Sequence, residues 1–245
     1  MKKIRSRVGE IKINNKGTPM KIIDYTNSAN ITVEFQDSNK YKISTTYQNF
    51  KRGTVKNPYD ITVYGVGYLG VGEYVCWVEG EHTSHYTLWE NILARCYNEK
   101  DRHNRPTYKD CIVCDEWLNF QNFAKWYDEN AYDTGDGSRL HIDKDILVSD
   151  NKTYSPDTCI LVPQPINMLF MTKSKKIDSD LPNGINRSMN GYKAQYNAKH
   201  LGTFKTLKEA IVQRETERRK HIKKTVNRYK SVLPFKVYNA LLTHF

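Results

Sequence analysis

The chain has 245 residues, a formal charge of +11 and a pI near 9.3, a length that exceeds one small module and fits two or three compact units. Apolar residues make up 38% and 17 tyrosines add aromatic bulk, so the composition is polar but globular. No apolar run approaches the roughly 18 residues of a membrane span, residues 1–17 are basic without the apolar segment of a signal peptide, and five cysteines argue against a disulfide framework; the expectation is a cytoplasmic chain with no membrane partner.

Residues 1–57 carry 12 Lys and Arg against 4 Asp and Glu. Four strands are predicted at 10–14, 20–25, 31–36 and 41–48, with turn-forming residues at 14–17, 26–30 and 37–39 between them. Ile31, Val33 and Phe35 alternate with Thr32, Glu34 and Gln36, the period of a half-buried strand. Short strands in so little chain predict a small SH3-like β-barrel. Its basic excess suits contact with a phosphate backbone; a structural or protein-binding module is the equal alternative. Residues 58–80 read as a glycine-rich connector. It is no phosphate loop, because no Gly-Lys-Ser/Thr follows and no helix starts there.

A central domain is predicted over 81–172. Over 58–170 the charge reverses to 18 acidic against 9 basic residues. Such a surface repels DNA unless some carboxylates are neutralised, as a bound metal would do. Leu88, Ile92 and Leu93 share one side of a helix predicted over 86–97, and a second helix is predicted over 120–130. Cys111 and Cys114 have zinc-knuckle spacing, with Cys96 and Cys159 as candidate third and fourth ligands of a structural Zn2+. Buried free cysteine is the competing reading. His141, Asp143 and Asp145 alternate along one face of a predicted strand. Asp150, Asn151 and Asp157 are further oxygen donors nearby.

The succession Trp89…Arg95-Cys96-Tyr97, Cys114-x-x-Trp117, Asp143-Lys144 and Tyr154…Cys159 resembles the phage HNH-type endonucleases of the homing group, over roughly 86–170. That resemblance implies a ββα-metal unit, an HNH DNA endonuclease activity (a hydrolase), and Mg2+ or Mn2+ as cofactor. By alignment with its motifs, Asp143 takes the metal-binding first position, Lys144 the position of the general base, and Thr158 the late metal-binding position that Asn or His usually fills. A lysine at its ordinary pKa is protonated at neutral pH and cannot accept a proton, and threonine is a weak ligand. Two of three positions therefore depart from the family pattern; on the strand face of Asp143, His141 could substitute as the base the resemblance implies, and Asp145 could bind the metal.

Residues 173–245 form the third predicted domain, and from 171 onward the chain holds 17 basic against 5 acidic residues. Tyr192, Ala194, Tyr196 and Ala198 alternate with Lys193, Gln195, Asn197 and Lys199, which predicts a strand with an apolar face and a face of amides and ammonium groups. Thr206 and Glu209 form a capping box at the start of a helix. The set Gly184, Tyr192-x-Ala194, Leu201-Gly202-Thr203-Phe204 and Thr206-Leu207-Lys208-Glu209-Ala210 resembles the AP2/ERF-like DNA-binding domain, a three-stranded sheet with a packed helix. That resemblance implies Arg187, Lys193, Gln195, Asn197 and Lys199 at double-stranded DNA. A basic helix follows, where Arg218, Arg219, Lys223 and Lys224 could lie along phosphates, and residues 234–245 are predicted to pack back on the domain.

The fold class expected is α+β. The function expected is that of a phage DNA-binding protein in the bacterial host cell, acting as a metal-dependent site-specific DNA endonuclease or nickase. The alternative is a catalytically degenerate relative that regulates through DNA binding, or that inhibits a host defence nuclease through a protein partner.

Overall fold

A computed structural model describes residues 6–170 and 180–243; the domain boundary expected at 172/173 lies outside the described residues. The fold is mixed α+β, with seven α-helices and several small sheets among the described residues. The chain divides into two compact units: one runs to Asp128 and includes Lys152–Ser155, and the other takes Glu129–Asn151 and continues from Pro156.

The first unit opens with an antiparallel meander of β1 (Ile11–Ile13), β2 (Pro19–Asn27), β3 (Asn30–Phe35) and β4 (Lys42–Thr45), in that spatial order. Met20 pairs with Phe35 and Ile22 with Val33, so alternate residues of the two central strands face one side. Those side chains and Ile31 are fully buried with Phe50 and Val55. The strand predicted to run to residue 48 stops at Thr45. Thr46 instead caps helix α1 (Tyr47–Arg52), its hydroxyl accepting from the Asn49 amide, and the helix delivers Phe50 to the core. Gly53 closes α1 at φ 70, where a Cβ would lie 2.7 Å from Asn15 Oδ1.

A short hairpin of β5 (Trp77–Val78) and β6 (Glu81–His82) leads into α2 (Ser84–Tyr97) and α3 (Glu99–Asn104). Helix α2 buries Trp89, Ile92, Leu93 and Cys96, and the Trp89 indole N–H donates to the Trp117 carbonyl at 2.7 Å. Strand β7 (Ile112–Val113) pairs in parallel with β9 (Thr153–Tyr154). Helix α4 (Phe120–Asn130) buries Phe120, Phe123, Ala124 and Trp126, an apolar stripe at helical spacing.

In the second unit β8 (Leu140–Asp143) pairs antiparallel with β10 (Ile160–Pro163), and α5 (Gln164–Phe170) follows directly. Three antiparallel strands come next: β11 (Ile185–Ser188), β12 (Gly191–Tyr196) and β13 (Lys199–Phe204), then α6 (Leu207–Arg228) and α7 (Phe235–Thr243). Gly191 at φ 123 lets the first hairpin close, since a Cβ there would meet the Phe204 carbonyl oxygen at 2.1 Å. The first half of α6 closes a small core of Leu181, Ile185, Ala194 and Ala210. Its second half brings Ile222 and Val226 into a larger core with Ile160, Val162 and Ile166, joined by Val237 and Leu241 of α7.

Candidate functional site

The β8–β10–α5 segment carries the first group of candidate residues. His141 pairs with Val162 and Asp143 with Ile160, so the two share the face opposite buried Ile142. The Asp143 side chain turns back on its own loop, its Oδ1 accepting from the amides of Asp145 and Ile146 at 2.8 Å each. Burial pushes its carboxyl above the ordinary carboxylate range, against the pull of those two N–H groups. A desolvated carboxylate on a strand face, half satisfied by backbone, suits a hard cation.

Lys144, expected at the base position, is buried. Its ammonium donates to Asp145 Oδ1 at 2.7 Å and to the Asn151 carbonyl at 2.5 Å, while the Asn151 amide donates to the Lys144 carbonyl at 3.0 Å. An ammonium clamped by a carboxylate has no lone pair to take a proton, so Lys144 is a brace for the turn after β8. Asp145 lies beyond the end of β8 and carries the other half of that ion pair, so it does not share the strand face with Asp143. Thr158 sits in the turn before β10 rather than on a helix.

The helix-borne residue is one the sequence reading missed: Asn167 on α5, whose side-chain amide lies 3.2 Å from His141 Nδ1. The available signal was the Pro163-Gln164-Pro165 sequence, a helix start placed just after an apolar strand. The contact orients the imidazole. The atom facing Nδ1 is the amide nitrogen Nδ2, which donates, so Nδ1 accepts and the neutral ring carries its proton on Nε2. His141, Asp143 and Asn167 thus belong together, while Lys144, Asp145 and Thr158 do not join them.

The cysteines are all free. Cys96, Cys111 and Cys114 belong to the first unit and Cys159 to the second. Burial pushes the Cys114 thiol above its usual value, favouring the protonated form over the thiolate that a metal needs. Among the described residues no group of three or more His, Cys, Asp or Glu is arranged to hold a metal ion.

The second group lies on the outer face of the β11–β13 sheet. Ile185 and Ala194 point toward α6, which sends their neighbours to the opposite side. Asn186 pairs with Lys193 and Lys193 with Thr203, making an exposed row across all three strands; Gln195 opposite His200 extends it. Asn186, Thr203 and His200 were missed by reading one strand alone. Lys199, also exposed, starts β13.

Three expected DNA contacts are placed otherwise. Asn197 is in the turn, at φ 47 beside Ala198 at φ 61, and its amide reaches back to His221 Nδ1 at 3.1 Å, which the Tyr196 hydroxyl also meets at 3.1 Å. A bulge after Ala194 and this tight turn end the alternation that predicted Asn197 on the polar face. Arg187 sits opposite Tyr192, on the helix-side row, and pairs with Asp180 at 2.6 Å. Arg218 is partly buried against Glu215 and the Leu169 carbonyl. Arg219, Lys223 and Lys224 are exposed on α6; Lys224, with Lys220 and Arg228, lies on the side away from Ile222 and Val226, whereas Arg219 and Lys223 flank those two.

Among the described residues no helix is long and apolar enough to cross a membrane. No protein-family model, curated protein or solved structure matches the chain.

Proposed function

We propose that this chain binds double-stranded DNA and nicks or cuts it with a divalent metal, as an HNH-like ββα unit joined to an AP2-like reading module, behind an SH3-like N-terminal module. The observation that carries the reading is the convergence of His141 and Asp143 on one face of β8 with Asn167 of α5, a hairpin-plus-helix arrangement of base, oxygen ligand and orienting amide. In this reading Asp143 would hold Mg2+ or Mn2+, which would supply Lewis-acid stabilisation of the phosphoryl oxygens. Asn167 holds the His141 ring, and the imidazole, through whichever nitrogen is free of hydrogen, takes the proton of the attacking water. The row Asn186, Lys193, Thr203 and Gln195 contacts the duplex, and the Arg219, Lys223 and Lys224 stripe offers a second phosphate-binding surface.

The test uses labelled duplex DNA with Mg2+ or Mn2+ and, separately, retardation in EDTA. Asp143→Ala is expected to abolish product and leave retardation unchanged; His141→Ala is expected to slow product formation by about 10²–10⁴-fold. Lys193→Ala is expected to weaken retardation and lower the slope of log affinity against log salt by about 1. Product formed undiminished by Asp143→Ala would sink the nuclease reading.

A second reading is favoured by one observation. The residue at the expected base position, Lys144, is locked in an ion pair with Asp145. A relative that lost its base and kept its DNA surface would retard DNA without cutting it in any metal. It could then serve as a regulator, or act on a host defence nuclease through a protein partner.

A further inference from the structure

The first unit contains a cavity of about 930 Å³, which nothing in the nuclease reading uses. Its volume is at the upper end of the roughly 300–1,000 Å³ of small-molecule sites. Tyr41, Tyr74 and Trp77 contribute aromatic surface to its lining, and Lys16 and Lys56 contribute the positive charge. Both lysines are exposed, and neither forms an ion pair among the described residues. The single lining carboxylate, Asp60, is buried and already satisfied: Oδ2 accepts from Asn14 Nδ2 at 2.7 Å and Oδ1 from the Thr18 hydroxyl at 2.5 Å. The accessible charge of the cavity is therefore cationic.

The wall over 69–74 is held in place. Gln121 Oε1 accepts from the Tyr74 amide at 3.0 Å, and its Nε2 donates to the carbonyls of Tyr74 and Leu69 at 3.0 and 3.3 Å. Gly72 packs against that same side chain so closely that a Cβ would fall 2.2 Å from Gln121 Oε1. A wall fixed this way loses little entropy when a ligand enters. Trp77 is 59% exposed, whereas Trp89 and Trp117 are fully buried and Trp126 is 7% exposed. The His82 ring meets Trp77 edge-on at 3.8 Å between centroids, and the rest of the indole is open for a flat ligand to pack on.

We infer that this cavity is a nucleotide-binding site, in which a base packs against the aromatic wall of Trp77 and Tyr74 and its phosphate meets Lys16 and Lys56. A flat aromatic ring bearing an anion matches the aromatic and cationic chemistry of the lining; stacking of this kind tolerates any base. The nucleotide can come free from solution or as part of a single strand, and the two sources share this chemistry. All the lining residues belong to the first unit, and the duplex-binding reading uses none of them, so failure here leaves that reading standing.

Because Trp77 alone of the four tryptophans is exposed, the part of the emission that a ligand quenches by contact reports on this cavity. Titration with dAMP and with a dT5 oligonucleotide is expected to give saturable quenching, about tenfold weaker in Lys16→Glu/Lys56→Glu while the melting temperature is unchanged. Equal affinity for dAMP and dT5 identifies a free nucleotide as the ligand; dT5 tighter by about tenfold or more identifies a strand. Absence of saturable quenching by either probe, or quenching indifferent to the two lysine substitutions, overturns the proposal. So does a concentration-dependent dimer that covers Trp77 and excludes dAMP.

Discussion

The two main antiparallel sheets solve burial in opposite ways. The β1–β4 sheet fills its inner side with large groups, Met20, Ile22, Ile31, Val33 and Phe35, and seals it with Phe50 from a one-and-a-half-turn helix. The β11–β13 sheet has Ala194 facing Ala210, two of the smallest side chains, in a core of four buried residues. Small residues let α6 lie close to the strands, and they leave the sheet dependent on that helix. The first sheet brings most of its own core, whereas the second is a thin plate whose outer face is free to hold polar groups.

The contrast can be broken most severely in the first sheet. Phe35→Ala removes a fully buried ring and is expected to cost about 3–5 kcal/mol, read as loss of the first unit's transition in urea, with the second unit's transition retained. In the second sheet the sensitive direction is the reverse. Ala194→Leu forces α6 away from the strands and is expected to cost about 1–3 kcal/mol, and Lys193-dependent DNA retardation should weaken with it. A still smaller effect sharpens the role of α6. The Tyr229 hydroxyl, just past the helix, donates to Asp136 Oδ2 at 2.6 Å and, with Ser138, holds that carboxyl well below the usual range. A depressed carboxyl contributes stability above its unfolded pKa and loses it as pH falls. Tyr229→Phe should therefore lower the second unit's urea midpoint at pH 7, and the gap to the unaltered chain should close as pH drops below about 4.

Long amphipathic elements were legible. The stripe of Phe120, Phe123, Ala124 and Trp126 marks α4 from its first residue, and the Thr206–Glu209 capping box marks the start of α6, with both reciprocal bonds formed. Local turn chemistry was less so. Thr46 ends a strand and starts a helix within two residues, and a β-branched run hides that change. Ala198 at φ 61 is a conformation its residue type does not advertise, so the alternation looked continuous through Asn197. At the candidate site the strand partners His141 and Asp143 could be placed by period alone. Asn167 could not, because its approach to His141 is set by how α5 folds back after β10. The burial of Lys144 was equally hidden, since only the loop from Asp145 to Asn151 wrapping it turns a surface-type residue into a brace.

Helix α6 spans 22 residues, about 33 Å at 1.5 Å per residue, and anchors one hydrophobic cluster at each end. Neither cluster can be cut out with its half of the helix intact. A fragment limited to residues 180–243 would carry Ile222, Val226, Tyr229 and Leu233 without Ile146, Ile160, Val162 and Ile166 to cover them. Such a piece would be a sticky polypeptide rather than a portable cassette. Amide exchange along α6 should accordingly slow or quicken as one block, because the helix is the shared keel of both clusters.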